Sequence, residues 1–311
     1  MTSMSVDACQ EFMHVAGTDP ELRMRMRAMT GVQELLRLAR SHGYEFSVPE
    51  LAAASSRPGP AEDEPTERTR GASAGAEEPA ARAEAEARDG TTVLHTEYSL
   101  DDLPAFTEVR ELLQLVKVRP PTVDMDRFAE AFDPGDLAST DLAPSGPEYQ
   151  RWRAGIKPVP NDRRHFHLVN LDDHVDHPGY EEYLDAKIRL VGALEKVFGP
   201  EVRFSGSMWY PPSSYRLWHT NEDQPGWRMY LIDFDDDFAD PSETSFFRYQ
   251  TPGTDELVTL RERPRMARFF KIEQDPAKLF WHCIVNPTER HRWSFGFVVP
   301  DDWKAALEAA A

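Results

Sequence analysis

The chain has 311 residues, 40% of them apolar, and a net charge of −19. A surface this acidic repels phosphate backbones and excludes nucleic acid as a general partner, and no run approaches the ~20 apolar residues of a membrane span. The N-terminus "MTSMSVDACQEF" lacks the basic-then-apolar order of a secretory signal, and the two cysteines, Cys9 and Cys283, stand far apart, so reduced thiols and a cytoplasmic setting are expected.

Residues 5–52 read as three or four short helices. Ser5 can cap the first, which carries Val6, Phe12 and Val15. In "TDPELRMRM", Asp19 stands as N-cap, with Pro20 at the first helical position and Glu21 in the first turn. "GVQELLRLARSHG" places Val32, Leu35, Leu36 and Ala39 on one face and stops at Gly43, and Ser47 with Glu50 forms a capping box. Residues 1–53 are thus expected to form a small, separate all-α domain. Residues 54–92 are rich in Ala, Glu, Pro, Gly and Arg and nearly free of large apolar side chains; they are predicted to be a disordered linker.

From residue 93 to 311 the pattern is globular again. "PAFTEVRELLQLV" and "YEEYLDAKIRLVGALEKVFG" have helical periodicity, the second through Leu184, Ile188, Val191, Leu194 and Phe198, with Gly199-Pro200 as its stop. After Pro200 come seven aromatic or β-branched runs separated by Pro, Gly and Asp turns: "EVRFSGSMWY", "WRMYLIDF", "TSFFRYQ", "ELVTLRE", "MARFFKI", "KLFWHCIV" and "RWSFGFVV". The predicted fold class is α+β, a jelly roll (double-stranded β-helix) with flanking helices.

Two histidines have strand-end contexts: His219 in "LWHTN" and His282 in "FWHCIV". Trp218 and Trp281 each precede one of them and should face the other side of the strand, into the core. An inward-pointing Arg292, in "RWSF", needs an anion, and a dicarboxylate would satisfy it by a bidentate fork. Two imidazoles and one oxygen ligand on one face of Fe(II), with the other face open, make a non-haem iron site. A competing cluster lies in "RRHFHLVNLDDHVDHPG", where His165, His167, His174 and His177 stand beside Asp172, Asp173 and Asp176. It reads better as an entrance or a polar loop, and the acidic "DFDDDFADPSE" reads as a solvated hairpin tip.

With these motifs, residues 200–299 resemble the prolyl-4-hydroxylase-like branch of the iron and 2-oxoglutarate-dependent dioxygenases. Tyr210 precedes the first histidine at the family's spacing, His219-Thr220-Asn221 stands at its His-x-Asp, and "SETSFF", "RMARFFKI", His282 and Arg292 follow in the family's order. The resemblance implies a metal held by His219, Asn221 and His282, and 2-oxoglutarate held by Arg292 with Tyr210 or Tyr230. The family's carboxylate is an amide here, which leaves Asn221, Glu222 and Asp223 as alternatives for the third ligand. Arg228 is either a second anion contact or a partner for the acids at 233–237.

Residues 5–52 resemble the nitrogen-fixation-type leader domain of ribosomally made, modified peptides, through "DPELR", "ELLRLARSHGYEFS" and the closing "PEL". No Gly-Gly processing site is evident, which favours a retained docking module. The resemblances together imply an oxygenase using Fe(II), 2-oxoglutarate and dioxygen to hydroxylate a side chain of a peptide or protein recruited through the N-terminal domain. The alternative is a catalytically inert jelly-roll binding protein, or a leader-bearing precursor modified by other enzymes.

Overall fold

The computed structural model describes residues 3–55, 94–156 and 166–310. Four helices come first: α1 (Ser3–Thr18), α2 (Pro20–Arg27), α3 (Val32–Ser41) and α4 (Val48–Ser55). Helix α1 already begins at Ser3, so Ser5 lies in its first turn and is not the cap. Asp19 caps α2, accepting the amides of Glu21 (2.8 Å) and Leu22 (3.1 Å). Gly43 follows α3 in the left-handed region at φ 84°, and Glu50 accepts the amide and hydroxyl of Ser47 at 2.7 Å. Phe12, Ala16, Leu22, Leu38 and Ala39 form this unit's own core. The face of α3 differs from the predicted one: Val32 is exposed, whereas Leu38 and Glu34 are buried beside Ala39. Residues 54 and 55 finish α4, and the remainder of the predicted linker lies outside the described residues.

Strand β1 (His95–Ser99) leads into α5 (Thr107–Val116), the short helices α6 (Met125–Glu130), α7 (Pro134–Ser139) and α8 (Pro147–Gly155), the brief strands β2 (Phe166–His167) and β3 (Val169–Asn170), and the long α9 (Tyr180–Phe198). Leu184, Val191, Leu194 and Phe198 are buried on α9 as their periodicity requires, with Ile188 half-buried; Tyr180, Tyr183, Lys187 and Leu190 are buried too. The buried side chains cover about half of the helix's circumference, an arc wide enough to meet two layers, while Glu181, Glu182, Asp185, Arg189 and Lys196 stay exposed. One layer is the β domain: β4 (Arg203–Tyr210), β5 (Ser214–His219), β6 (Gly226–Phe234), β7 (Phe246–Gln250), β8 (Leu257–Arg261), β9 (Met266–Ile272), β10 (His282–Asn286) and β11 (Arg292–Val298), closed by α10 (Trp303–Ala309). Two antiparallel sheets, ordered β1-β9-β6-β11-β4-β3 and β2-β5-β10-β7-β8, receive these strands, and the chain passes back and forth between them. That is a double-stranded β-helix with flanking helices.

The other layer is the N-terminal unit. Its Arg27 reaches Glu195 and the Pro200 carbonyl, its Thr30 hydroxyl reaches Asp172, and its Arg37 reaches Glu181 (2.8 Å) and the Val175 carbonyl. At the centre, Lys187 Nζ lies 3.1 Å from Glu34 Oε1 and 2.8 Å from Asp172 Oδ1, with all three side chains fully buried. Tyr180 donates to Glu34 (3.1 Å) and Tyr183 to Asp172 (3.4 Å). Burial works against the lysine's charge, but the two carboxylates outweigh it and raise its pKa. Burial raises Asp172, Lys187 draws it back and Glu34 raises it again, so it ends above the ordinary carboxylate range. Among the described residues no helix is long and apolar enough to cross a membrane.

Candidate metal centre

Strands β5 and β10 pair antiparallel with His219 opposite His282, and the imidazole centroids are 4.0 Å apart. Each ring is anchored in the same way. His219 Nδ1 contacts the Leu217 carbonyl at 2.7 Å, and His282 Nδ1 contacts the Phe280 carbonyl at 2.8 Å. A carbonyl can only accept, so each Nδ1 carries a proton, which leaves Nε2 as the atom a metal would take. His282 is 1% exposed and lies among Phe247, Phe270 and Phe280, at ring distances of 5.2–5.4 Å. Burial lowers its pKa to about 3, with the Arg216 and Arg268 charges assisting, so it is neutral across the physiological range.

Asn221 follows immediately, in the left-handed region at φ 57°, which Asn and Asp tolerate better than other side chains. Its Oδ1 accepts from Arg216 Nη2 at 3.1 Å, and its Nδ2 lies 3.5 Å from His282 Nε2. Arg216 is only a donor, which fixes the amide this way round. Glu222 and Asp223 are exposed on the turn. Among the described residues no group of three or more His, Cys, Asp or Glu side chains is placed to hold a metal. The donors at hand are thus two imidazoles and one amide, whose oxygen would face the metal if the amide turned over and gave up Arg216. This set fits a divalent transition metal whose charge is balanced by an anionic co-ligand.

The positive charge for such an anion is close by. Tyr210, Arg216, Tyr230, Arg268, His282 and Arg292 all line one cavity of about 20 Å³. Arg292 opens β11 opposite Tyr210, whose ring lies 4.5 Å from its guanidinium carbon. Tyr230 stacks on Phe270 at 5.3 Å, and Gly296 makes room for it, since a Cβ there would sit 2.9 Å from the tyrosine ring. The arginine is buried and inward, but its fork is filled from within the chain. Nε and Nη2 bind Glu262 Oε2 and Oε1 at 2.6 and 2.8 Å. Glu262 also accepts from Arg268 Nη1 (2.7 Å) and Ser245 Oγ (2.6 Å). Burial would raise this carboxyl, yet the guanidinium charges of Arg292 and Arg268 and these hydrogen bonds hold it down at about 2.

Sequence reasoning missed Glu262, Arg268 and Arg216. Arg268 carried a signal: in "MARFFKI" it alternates with Met266 and Phe270, which places it on their face of the strand. Arg228 takes neither predicted role. It is buried, and its guanidinium donates to the Trp227 and Gln224 carbonyls, closing the turn that follows Asn221. The competing histidine cluster is dispersed. His165 lies outside the described residues, His167 stacks on Phe128 at 4.1 Å, His174 meets Thr122, and His177 accepts the Gly179 amide. Trp218 is buried in a cluster with Tyr149 and Cys283, and Trp281 packs against it half-buried.

Residues 4–51 match the family model of the Nif11 domain, so the N-terminal helices form a Nif11 domain. No curated protein matches the chain. Among solved structures, it is similar to a Pseudomonas putida prolyl-4-hydroxylase (13% identity, 65% of this chain and 90% of that one, TM-score 0.30). It is also similar to a rice dioxygenase for auxin oxidation (12%, 68% and 75%, 0.34) and to a Trichoplax adhaerens prolyl hydroxylase in complex with a hypoxia inducible factor peptide fragment (10%, 65% and 94%, 0.29).

Proposed function

We propose that the protein is an Fe(II)- and 2-oxoglutarate-dependent oxygenase that hydroxylates a side chain of a peptide or protein, with the Nif11 domain as its recruitment module. The observation that carries this reading is the imidazole pair, with ring centroids 4.0 Å apart and both Nδ1 protons facing carbonyls, so that Nε2 is the atom each ring offers a metal, beside a cavity walled by arginines. The metal, when bound with 2-oxoglutarate and dioxygen, supplies the oxidising power. The chain's own residues hold, orient and keep dry. His219, His282 and Asn221 provide the donors, Arg292 and its neighbours provide positive charge for a carboxylate, Tyr210 and Tyr230 flank it, and Phe247, Phe270 and Phe280 keep water from His282. A groove of about 400 Å³, lined by Leu94, His95, Trp227, Lys271 and the Phe280 that packs on His282, offers room for a peptide segment. Recruitment has a surface to work with: Met13, Val32 and Val48, half of the exposed large apolar side chains among the described residues, belong to the Nif11 domain.

Anaerobic titration of Fe(II) and 2-oxoglutarate tests the reading through the metal-to-ligand charge-transfer band. Wild type should develop the band. His219→Ala and His282→Ala should each lose metal affinity by on the order of 100-fold or more, since even an outer-shell partner is worth about 10- to 100-fold. A wild type that takes up no iron leaves the inert jelly roll in its place, the alternative favoured by Glu262 filling the Arg292 fork.

Asn221→Asp gives a second check. The left-handed backbone accepts either residue, and the new carboxylate adds a negative charge to the donor set. Metal affinity should rise by on the order of 10- to 100-fold, as charge-assisted contacts are about twice as strong as neutral ones. Unchanged affinity would remove position 221 from the metal.

A further inference from the structure

We propose that Arg216 is a latch on Asn221: it holds the amide oxygen turned from the two imidazoles, so that a metal is taken up only as the side chain turns over and releases the guanidinium. The latch rests on the reading of His219, His282 and Asn221 as metal donors. Arg216 is then a positioning residue, which acts on the centre through Asn221.

Strand β5 brings the arginine to the centre by a bulge. On a regular strand, residues three apart face opposite sides. Here His219 stands opposite His282 and Arg216 opposite Ile284, three steps along β5 against two along β10, with a shift of register between them. The extra residue turns Arg216 to the side of the imidazoles, where it lines the same cavity as His282.

The arginine meets no carboxylate among the described residues. Arg268 and Arg292, in the same cavity, are both paired with Glu262. The guanidinium of Arg216 instead gives one hydrogen bond, from Nη2 to Asn221 Oδ1 at 3.1 Å, and its Nε is buried without a partner among the described residues. Phe166 stands opposite it on β2, and that ring lies 5.0 Å from the guanidinium carbon. A half-buried cation with a single neutral acceptor keeps hold of it, since no charged partner competes.

An asparagine makes this contact exclusive. A carboxylate at position 221 would have two oxygens, one for the guanidinium and one for a metal. The amide has one oxygen, and that oxygen faces Arg216. What the side chain turns toward His282 Nε2, at 3.5 Å, is its NH₂ group, which is only a donor of hydrogen bonds. The backbone at this point is pinned. Asn221 sits in the left-handed region at φ 57°, its carbonyl accepts the Gln224 amide at 3.0 Å, and Arg228 reaches the Gln224 carbonyl. The oxygen therefore reaches a metal by rotation of the side chain, and that rotation breaks the bond to Arg216. Two effects oppose metal uptake as a result: the charge-assisted hydrogen bond that has to be given up, and the guanidinium charge beside an incoming dication. The first acts only through Asn221; the second acts whatever residue stands at 221. A double-mutant cycle separates them.

Co(II), whose visible bands report its donors, is titrated into the full-length protein after treatment with a chelator. Arg216→Met should bind it more tightly than wild type. The gain should exceed the gain from the same substitution in an Asn221→Ala background by about 10- to 100-fold, the worth of one hydrogen bond to a charged group. Lost packing lowers affinity, so a gain is a result that a merely structural role does not give. Arg216→Gln, which stays polar but drops the charge and the reach, should gain in the same direction, and it decides the matter if the methionine variant does not fold. Wild-type binding with equal or weaker binding by the variants overturns the latch and spares the metal centre. An equal gain with and without the Asn221 amide also overturns the latch, because the charge then acts on the metal directly. No Co(II) binding by wild type or by any Arg216 variant ends the metal centre and the latch together, whereas binding by the variants alone keeps both, as a centre that Arg216 holds shut.

Discussion

Glu262→Ala should lower the unfolding free energy by about 3–5 kcal/mol in urea titrations at pH 7, the range for breaking a buried ion pair on one side. The carboxylate is fully buried, and the guanidiniums it joins are each 1% exposed. Deleting it leaves Arg292 with no carboxylate and only Tyr210 beside it, leaves Arg268 with Glu97 alone, and takes the acceptor from Ser245. Glu262→Gln should lose less, because one amide oxygen still accepts, although the new NH₂ faces donors. The pH dependence has a definite sign. The folded pKa, about 2, lies below the ordinary glutamate value. The stability this group contributes is therefore fully present above about pH 4.3 and is lost as pH falls from there through about 2. Acid unfolding followed by circular dichroism should be steep in that window for wild type and flatter for Glu262→Gln. A loss below about 1 kcal/mol for Glu262→Ala would mean that water reaches the guanidiniums, and the closed cavity would have to be abandoned.

The strands and caps of this protein are legible locally because local chemistry determines them. Asp19 before Pro20 favours a helix start, and alternating aromatic runs between turn residues form β4 and β6 through β11. The meeting of His219 and His282 was readable from two strand ends of the same texture. Buried charge was not. Glu34 and Lys187 sit at helical positions where a charged residue ordinarily faces water, and each is buried because of a partner more than a hundred positions away. Lys187 lies on the apolar stripe itself, three residues after Leu184 and four before Val191, so periodicity marks the position as buried while the residue type marks it as exposed. Glu262, in "LRERPR", reads as a charged turn; only folding brings Arg292 against it. The sequence leaves Arg292's direction open and asks for an anion only if it points inward; it does, and the anion belongs to the same chain.

Lys187→Met carries that lesson to the domain junction. The lysine is the only cation bonded to Glu34 and Asp172 at their buried contact among the hydrogen bonds described. Without it, two carboxylates share a site closed to water, and a cost of about 3–5 kcal/mol is expected at pH 8. The N-terminal helices bear this cost directly, because Glu34 belongs to α3 and Asp172 to the β domain. The pH dependence runs opposite to that of Glu262. Burial already raises Asp172 above its unfolded value, and removing the opposing lysine charge raises it further. A carboxyl with a raised folded pKa is easier to accommodate below its unfolded value of about 3.9, and stability is lost as pH climbs from there to the folded pKa. The deficit of Lys187→Met relative to wild type should thus shrink between pH 8 and pH 5. Melting temperatures at both pH values test the sign. Amide exchange tests the location: protection should fall first in α2 and α3, whose contacts with α9 and with Asp172 depend on the triad, while β6 and β11 keep theirs. Equal deficits at the two pH values, or uniform loss of protection, would show that Lys187 supports the β domain alone and that the Nif11 domain docks through Arg27 and Arg37 without it.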